Sequence, residues 1–227
     1  MSYLAIEYIF LFLGLGVTLG AQAYINRWYS KTKKIQNNKM MNGAETARLI
    51  LDNNGLKNVK VVETAGILSD HYDPRTKTVR LSPSIYGDNS IASVSVAAHE
   101  CGHAIQDKEG YFFMKIRGTM VPLVNFATKA GYIAILIGIF TQALNLIWLG
   151  ILLEVVILIF QLITLPVEIN ASSRALKQIE ELNILTKKEK QYSKKMLTAA
   201  AMTYVASVAT VILEIIRLLL IVGRNND

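Results

Sequence analysis

The chain is 227 residues long, 52% hydrophobic and only 18% charged, with a mean hydropathy of +0.34. That balance excludes an ordinary soluble globular domain and points to segments that face hydrocarbon. The net charge of +7 comes without a groove-reading motif or a basic patch interleaved with aromatics, which argues for anionic lipid and against nucleic acid as its counterpart. The single cysteine rules out an intrachain disulfide and fits a reducing compartment.

Four apolar stretches, residues 3–24, 118–140, 144–165 and 196–222, each reach the ~20 residues a helix needs to cross about 30 Å of hydrocarbon. The first contains Ala21-Gln22-Ala23, which resembles a cleavage site, but no basic residue precedes it and the apolar run exceeds the usual ~7–15 residues of a signal peptide. Positive charges follow it instead, at Arg27, Lys31, Lys33, Lys34 and Lys39. This is the pattern of a retained anchor with its N-terminus outside.

After the anchor, Asn42-Gly43-Ala44-Glu45 opens a short helix that Asn53-Asn54-Gly55 closes. Residues 59–63 and 78–82 read as short strands, separated by the turn sequence Asp73-Pro74-Arg75-Thr76. Asp88-Asn89-Ser90 supplies N-cap candidates for a helix that runs to Asp107 or Lys108. The run from Tyr111 to Arg117 mixes aromatic and basic side chains, as an interfacial segment does ahead of the second span. Past the third span Pro166 is expected to kink or restart the helix, and Thr186-Lys187-Lys188-Glu189 forms a capping box for the last one. Within the spans, Glu154, Glu214 and Arg217 are costly in lipid and expected to pair.

The segment between spans three and four carries Arg174, Lys177, Lys187, Lys188, Lys190, Lys194 and Lys195, whereas Thr141-Gln142-Ala143 has no basic residue and the C-terminal tail only Arg224. Residues 26–117 and 166–195 therefore share one side, the cytoplasmic one by the positive-inside rule.

On the helix that follows Ser90 lie His99-Glu100-Cys101-Gly102-His103, the pattern H-E-x-x-H. Four residues make about one helical turn, so both imidazoles project from one face, where a single Zn²⁺ can take both with Glu100 beside them to handle a proton. A third protein ligand is required. His71 is one possibility and the carboxylates are the others. Of these Glu154 and Glu214 lie within spans, and Glu180, Glu181 and Glu189 lie further from the membrane anchor point. Glu168 follows span three directly and faces the compartment of His99 and His103.

The stretches Asp70 to Ser82, Ala97 to Gln106 and Thr164 to Ser172 closely resemble the bacterial membrane zinc metallopeptidases often labelled YugP-like, a likeness that extends over nearly the whole chain. More distantly the chain is similar to the membrane protease HtpX and other gluzincins. In those, Asp usually stands four residues after the ligating Glu; here that position is Ser172. Asp107, four residues beyond His103, is the substitute expected to orient a ligand. The resemblance implies one Zn²⁺ per chain held by His99, His103 and Glu168, with Glu100 as general base in amide hydrolysis. His71, Tyr72 and Arg174 are the candidates for stabilising the developing oxyanion. By analogy with other zincins, the strand over 78–82 is expected to offer an edge for an extended substrate.

The expected fold class is α+β: a multi-pass membrane protein with four transmembrane helices and a small zincin-like cytoplasmic domain. The expected segments are a first span (1–25), the domain bearing the motif (26–117), a hairpin of spans two and three (118–165), a cytoplasmic helical segment with Glu168 (166–195), and span four with its tail (196–227). The expected function is a zinc endopeptidase of the bacterial cell membrane, acting on protein or peptide substrates at the cytoplasmic face. A reading from another class is a catalytically silent zinc-containing scaffold that binds partners. The oligomeric state is not legible in the sequence.

Overall fold

All four apolar stretches fold as helices. The computed structural model describes residues 3–224. Helix α1 spans Tyr3–Lys33, α2 Gly43–Asn53, α3 Pro83–Tyr86, α4 Ile91–Lys108, α5 Phe112–Thr141, α6 Leu144–Glu181 and α7 Lys187–Arg224. Three short strands, β1 (Lys60–Glu63), β2 (His71–Asp73) and β3 (Thr78–Leu81), lie between α2 and α3. The chain is thus mostly helical with one small sheet. Four helices, α1, α5, α6 and α7, are long and apolar enough to cross a membrane. Their outward faces carry large apolar side chains such as Phe12, Phe126 and Phe140, which suits a hydrocarbon solvent and no other.

Helices α6 and α7 are each 38 residues long. At 1.5 Å per residue this is about 57 Å, nearly twice the hydrocarbon thickness, so each continues beyond its apolar run as a polar helix. The restart expected at Pro166 does not occur, because α6 passes through that residue as one helix. Proline removes a single i→i−4 bond, at a cost of about 3 kcal/mol. Val167, fully buried beside it, contributes apolar packing that opposes that cost.

The chain divides into two compact units. One comprises residues 24–115 and 166–201. Its sheet has the order β1-β3-β2, with β1 parallel to β3 (Lys60 opposite Thr78) and β2 antiparallel to it (Tyr72 opposite Val79). The expected free edge on β3 is therefore absent: β3 is the central strand, and the edges belong to β1 and β2. The strand β2 and the helix α3 went unforeseen because three and four residues are too few to show a period. Leu51, Val79, Leu81, Ile85, Ile91 and Ile179 form the core, with Cys101 buried among them.

Local signals set the frame of this unit. Asn42 and Glu45 form a capping box at the start of α2, and Gly55 follows the helix with φ +69°, the left-handed conformation that glycine adopts without strain. Ser90 caps α4 through the Ser93 amide at 3.1 Å. Thr186 and Glu189 exchange hydrogen bonds ahead of α7, as the capping-box pattern implies. Burial pushes the Cys101 thiol up out of the thiolate range, so it packs as a small apolar residue.

The other unit comprises the apolar part of each long helix, residues 3–23, 116–165 and 202–224. Arg217 meets Glu214 three residues earlier through two bonds of 2.5 and 2.8 Å, the pairing that the cost of charge in lipid requires. Arg224 meets Glu7 at 2.9 Å, and the hydroxyls of Thr18 and Thr210 lie 3.0 Å apart.

Candidate metal centre

Two helices build the centre, α4 and the polar continuation of α6. They touch where α4 has no side chain. A Cβ placed on Gly102 would lie 2.5 Å from the carbonyl oxygen of Ala171, well inside van der Waals contact. His99 and His103 flank Gly102 on one backbone, and Glu168 and Ser172 flank Ala171 on the other. The close crossing therefore delivers imidazoles and carboxylate to one point.

Nε2 of His99 lies 3.2 Å from Oε2 of Glu168, and Nε2 of His103 lies 3.6 Å from the same oxygen. The three donor atoms all fall within 4.8 Å of one another. Ligands at 2.0–2.2 Å around a tetrahedral zinc stand about 3.3–3.6 Å apart, so these donors fit such an ion. Two nitrogens and a carboxylate oxygen are also the donor set of a zinc centre that keeps a position open. The Glu168 side chain is only 4% exposed. Burial alone would raise its carboxyl, but hydrogen bonds from His103 and His99 outweigh that and hold it well below the usual carboxylate range. It is therefore ionised at neutral pH, as a ligand must be.

The second nitrogen of each imidazole is also engaged. Nδ1 of His99 lies 3.1 Å from the hydroxyl of Ser172, four residues after Glu168 on α6. Nδ1 of His103 lies 3.0 Å from Oε1 of the fully buried Gln106. The orientation of that amide follows from groups that have no choice of role. Nε of Arg174, always a donor, meets Oδ1 of Asn170 at 2.7 Å. That oxygen and the Val167 carbonyl then accept the two amide hydrogens of Gln106 at 2.9 and 2.8 Å. Oε1 of Gln106 is left facing His103 and accepts the hydrogen on its Nδ1, so Nε2 is the nitrogen turned to Glu168 and available to a metal.

The sequence pattern singled out Asp107 for this orienting role, but the structure sends that carboxylate elsewhere. Asp107 accepts from the Tyr72 hydroxyl at 2.7 Å and from Lys77 at 2.5 Å. Its place one turn beyond His103 turns it toward the sheet. Gln106 and Asn170 escaped notice, although a glutamine three residues after the second histidine of H-E-x-x-H is a usable signal. Amides carry no charge and stand out little in a motif search.

Glu100 is buried at 8% exposure, and among the described residues nothing hydrogen-bonds its carboxylate. His71 is exposed at the start of β2 and bonds the Ser69 carbonyl at 2.7 Å. Burial, then the bond to Asp107, pushes the Tyr72 hydroxyl well above the usual phenol range. Arg174 divides its guanidinium between Asn170 and Glu109, the latter at 2.7 Å. None of these three belongs to the cluster of His99, His103 and Glu168.

Comparison with known proteins gives the family. Residues 7–223 match the family model described as "Putative neutral zinc metallopeptidase". The chain is 42% identical over 222 residues to the "Putative membrane protease YugP" of Bacillus subtilis (strain 168), which covers 96% of this chain and 99% of that protein. No solved structure matches. A match of this extent, joined to two imidazoles and a carboxylate that fit zinc, identifies the chain as a member of the neutral zinc metallopeptidase family.

Proposed function

We propose that the chain is a zinc-dependent endopeptidase of the bacterial cell membrane, with one Zn²⁺ per chain held by His99, His103 and Glu168. The observation that carries this reading is the approach of Glu168 to both imidazoles, at 3.2 and 3.6 Å, from a helix 69 residues away in the chain. A zinc ion bound there supplies Lewis acidity toward a scissile carbonyl and acidifies a water.

The protein's own part begins with Glu100. Its carboxylate has no hydrogen-bond partner among the described residues and lies one residue from His99, so it takes the proton of the attacking water and returns it to the leaving amine nitrogen. Gln106 and Ser172 hold the imidazoles in place, so the site need not reorganise during reaction. The His99 side chain is 16% exposed against 4% for Glu168, so substrate approaches from the His99 side.

The catalytic part, residues 26–117 and 166–195, is assigned to the cytoplasmic face with the N-terminus outside. The support is the lysine and arginine content of both segments. The substrates are then protein or peptide segments within reach of that face. A zincin-like arrangement is supported by the three-stranded sheet packed near the helix that bears H-E-x-x-H.

The test uses the full chain in detergent. Zinc content is expected near one per chain in the wild type and in Glu100→Gln, and to be largely lost in Glu168→Ala. Cleavage of an unstructured protein such as casein is expected in the wild type only. Undiminished cleavage by Glu100→Gln overturns the proposal, as does full zinc retention in Glu168→Ala. Zinc binding without cleavage in the wild type would leave the scaffold reading in its place.

A further inference from the structure

Away from the zinc cluster, two helices that enter the membrane place their lysines on one indole ring. The ammonium of Lys31 lies 5.3 Å from the centroid of Trp28, and that of Lys195 lies 5.1 Å from the same centroid. Lys31 also stands 5.2 Å from the centroid of Tyr192. Trp28 and Lys31 lie three residues apart on α1, and Tyr192 and Lys195 three apart on α7. Each pair therefore shares a helix face. The helices touch at this level, because the Thr32 hydroxyl donates to the Met196 sulfur at 3.1 Å.

This arrangement is unbalanced in charge. Two ammoniums on one ring are at most about 10 Å apart, within roughly a Debye length at physiological salt, and they repel. No acidic residue occurs on α1 after Glu7, nor on α7 between Glu189 and Glu214. Glu189 itself is committed to Thr186 and to the Asn38 amide. Among the described residues no carboxylate pairs with Lys31 or Lys195, and neither Trp28 nor Tyr192 uses its polar hydrogen in a hydrogen bond. Both lysines are exposed and both rings half-buried.

The position along the helices indicates what counters the charge of the pair. Trp28 lies four residues beyond Tyr24, where the first apolar run ends, and Lys195 directly precedes the apolar run that begins at Met196. At 1.5 Å per residue Trp28 stands about 6 Å beyond the hydrocarbon edge. The headgroup layer on each side is about 5–8 Å deep. Tryptophan and tyrosine favour that layer, and lysine side chains reach into it along their alkyl stems.

We propose that Trp28, Lys31, Tyr192 and Lys195 form a binding site for the phosphate headgroup of an anionic phospholipid at the α1–α7 junction. The two ammoniums attract the phosphodiester, whose single negative charge relieves their mutual repulsion, and the indole N–H and phenol O–H are free to donate to its oxygens. The site is independent of the zinc cluster and of the hydrolytic reading.

The test uses the full chain in detergent micelles doped with equal amounts of phosphatidylglycerol and phosphatidylcholine, with retained lipid counted by native mass spectrometry. Wild type is expected to hold one phosphatidylglycerol in roughly tenfold preference to phosphatidylcholine, given the attraction of two lysines to an anionic headgroup. Lys31→Gln/Lys195→Gln is expected to lose that preference. Lys187→Gln/Lys188→Gln removes the same charge from exposed positions on α7 off the ring, and is expected to keep it. A preference that survives in the first double variant overturns the proposal. An equal loss in both variants also overturns it, since the attraction is then diffuse basic charge and not a site.

Discussion

Gly102 and Ala171 meet backbone to backbone, and this contact sets the distance between the helix that carries both histidines and the helix that carries Glu168. An added methyl at Gly102 would sit 2.5 Å from the Ala171 carbonyl oxygen and 3.1 Å from its Cα. Neither atom can turn aside as a flexible side-chain tip could. Gly102→Ala is therefore expected to force the helices apart, with an overpacking cost of about 1–3 kcal/mol. Thermal unfolding in detergent should show a lower midpoint, and zinc content should fall as Glu168 withdraws from the imidazoles. A variant with unchanged midpoint and full zinc would refute this account of the glycine.

The amide of Gln106 offers a second test. Gln106→Leu keeps the volume and removes the acceptor that holds the hydrogen on Nδ1 of His103. Partners of this kind typically change metal affinity about 10–100-fold, and a loss in that range is expected here. Competition against a chromophoric zinc chelator measures it. Gln106→Glu retains an acceptor for His103 and should bind zinc more tightly than the leucine variant.

Asp88 anchors the end of α1 to the start of α4, by accepting from Lys33 at 2.7 Å and from the Ser93 hydroxyl at 2.9 Å. Burial opposes its ionisation, but the bonds from Lys33, Ser90 and Ser93 outweigh that and bring its carboxyl down to about 2. A carboxyl lowered on folding contributes stability that is present above its unfolded value of about 3.9 and is lost as pH falls through the folded value. Because the side chain is 36% exposed, screening holds the contribution to about 1 kcal/mol. Asp88→Asn should lower the unfolding midpoint at pH 7 and have a progressively smaller effect between pH 4 and pH 2. Melting curves of both proteins across that range give the comparison.

In the apolar unit, Arg217 neutralises Glu214 within a helix that crosses lipid. Arg217→Ala leaves a carboxylate without its partner, at about 2–3 kcal/mol in a membrane interior. The double variant Arg217→Ala/Glu214→Gln removes both charges and should regain most of the loss. Yield of folded protein from membranes and the midpoint of thermal unfolding report the difference. Additive losses in the double variant would show that the two side chains do not act as a pair.

Much of this protein is legible in its sequence, because the informative signals are local. An apolar run of some 20 residues can only be a helix in lipid, a capping box marks a helix start through its own hydrogen bonds, and H-E-x-x-H places two imidazoles on one face by helical period alone. Glu168 stood out because it directly follows the third apolar run, whereas Glu154 and Glu214 lie within such runs.

Other features depend on chain segments that are distant in sequence. The crossing at Gly102 and Ala171 joins positions 69 apart, and nothing local in either helix specifies it. The replacement of Asp107 by Gln106 and Ser172 beside the imidazoles has the same cause. Whether a side chain one turn along α4 meets the sheet or α6 depends on which element packs on that face. The central place of β3 was equally hidden, because strand order is a matter of pairing and the two short edge strands carry too few residues to announce it. Local hydrogen bonding and helical period wrote the elements and the two imidazoles of the candidate cluster into the sequence; long-range packing alone determined which groups surround them.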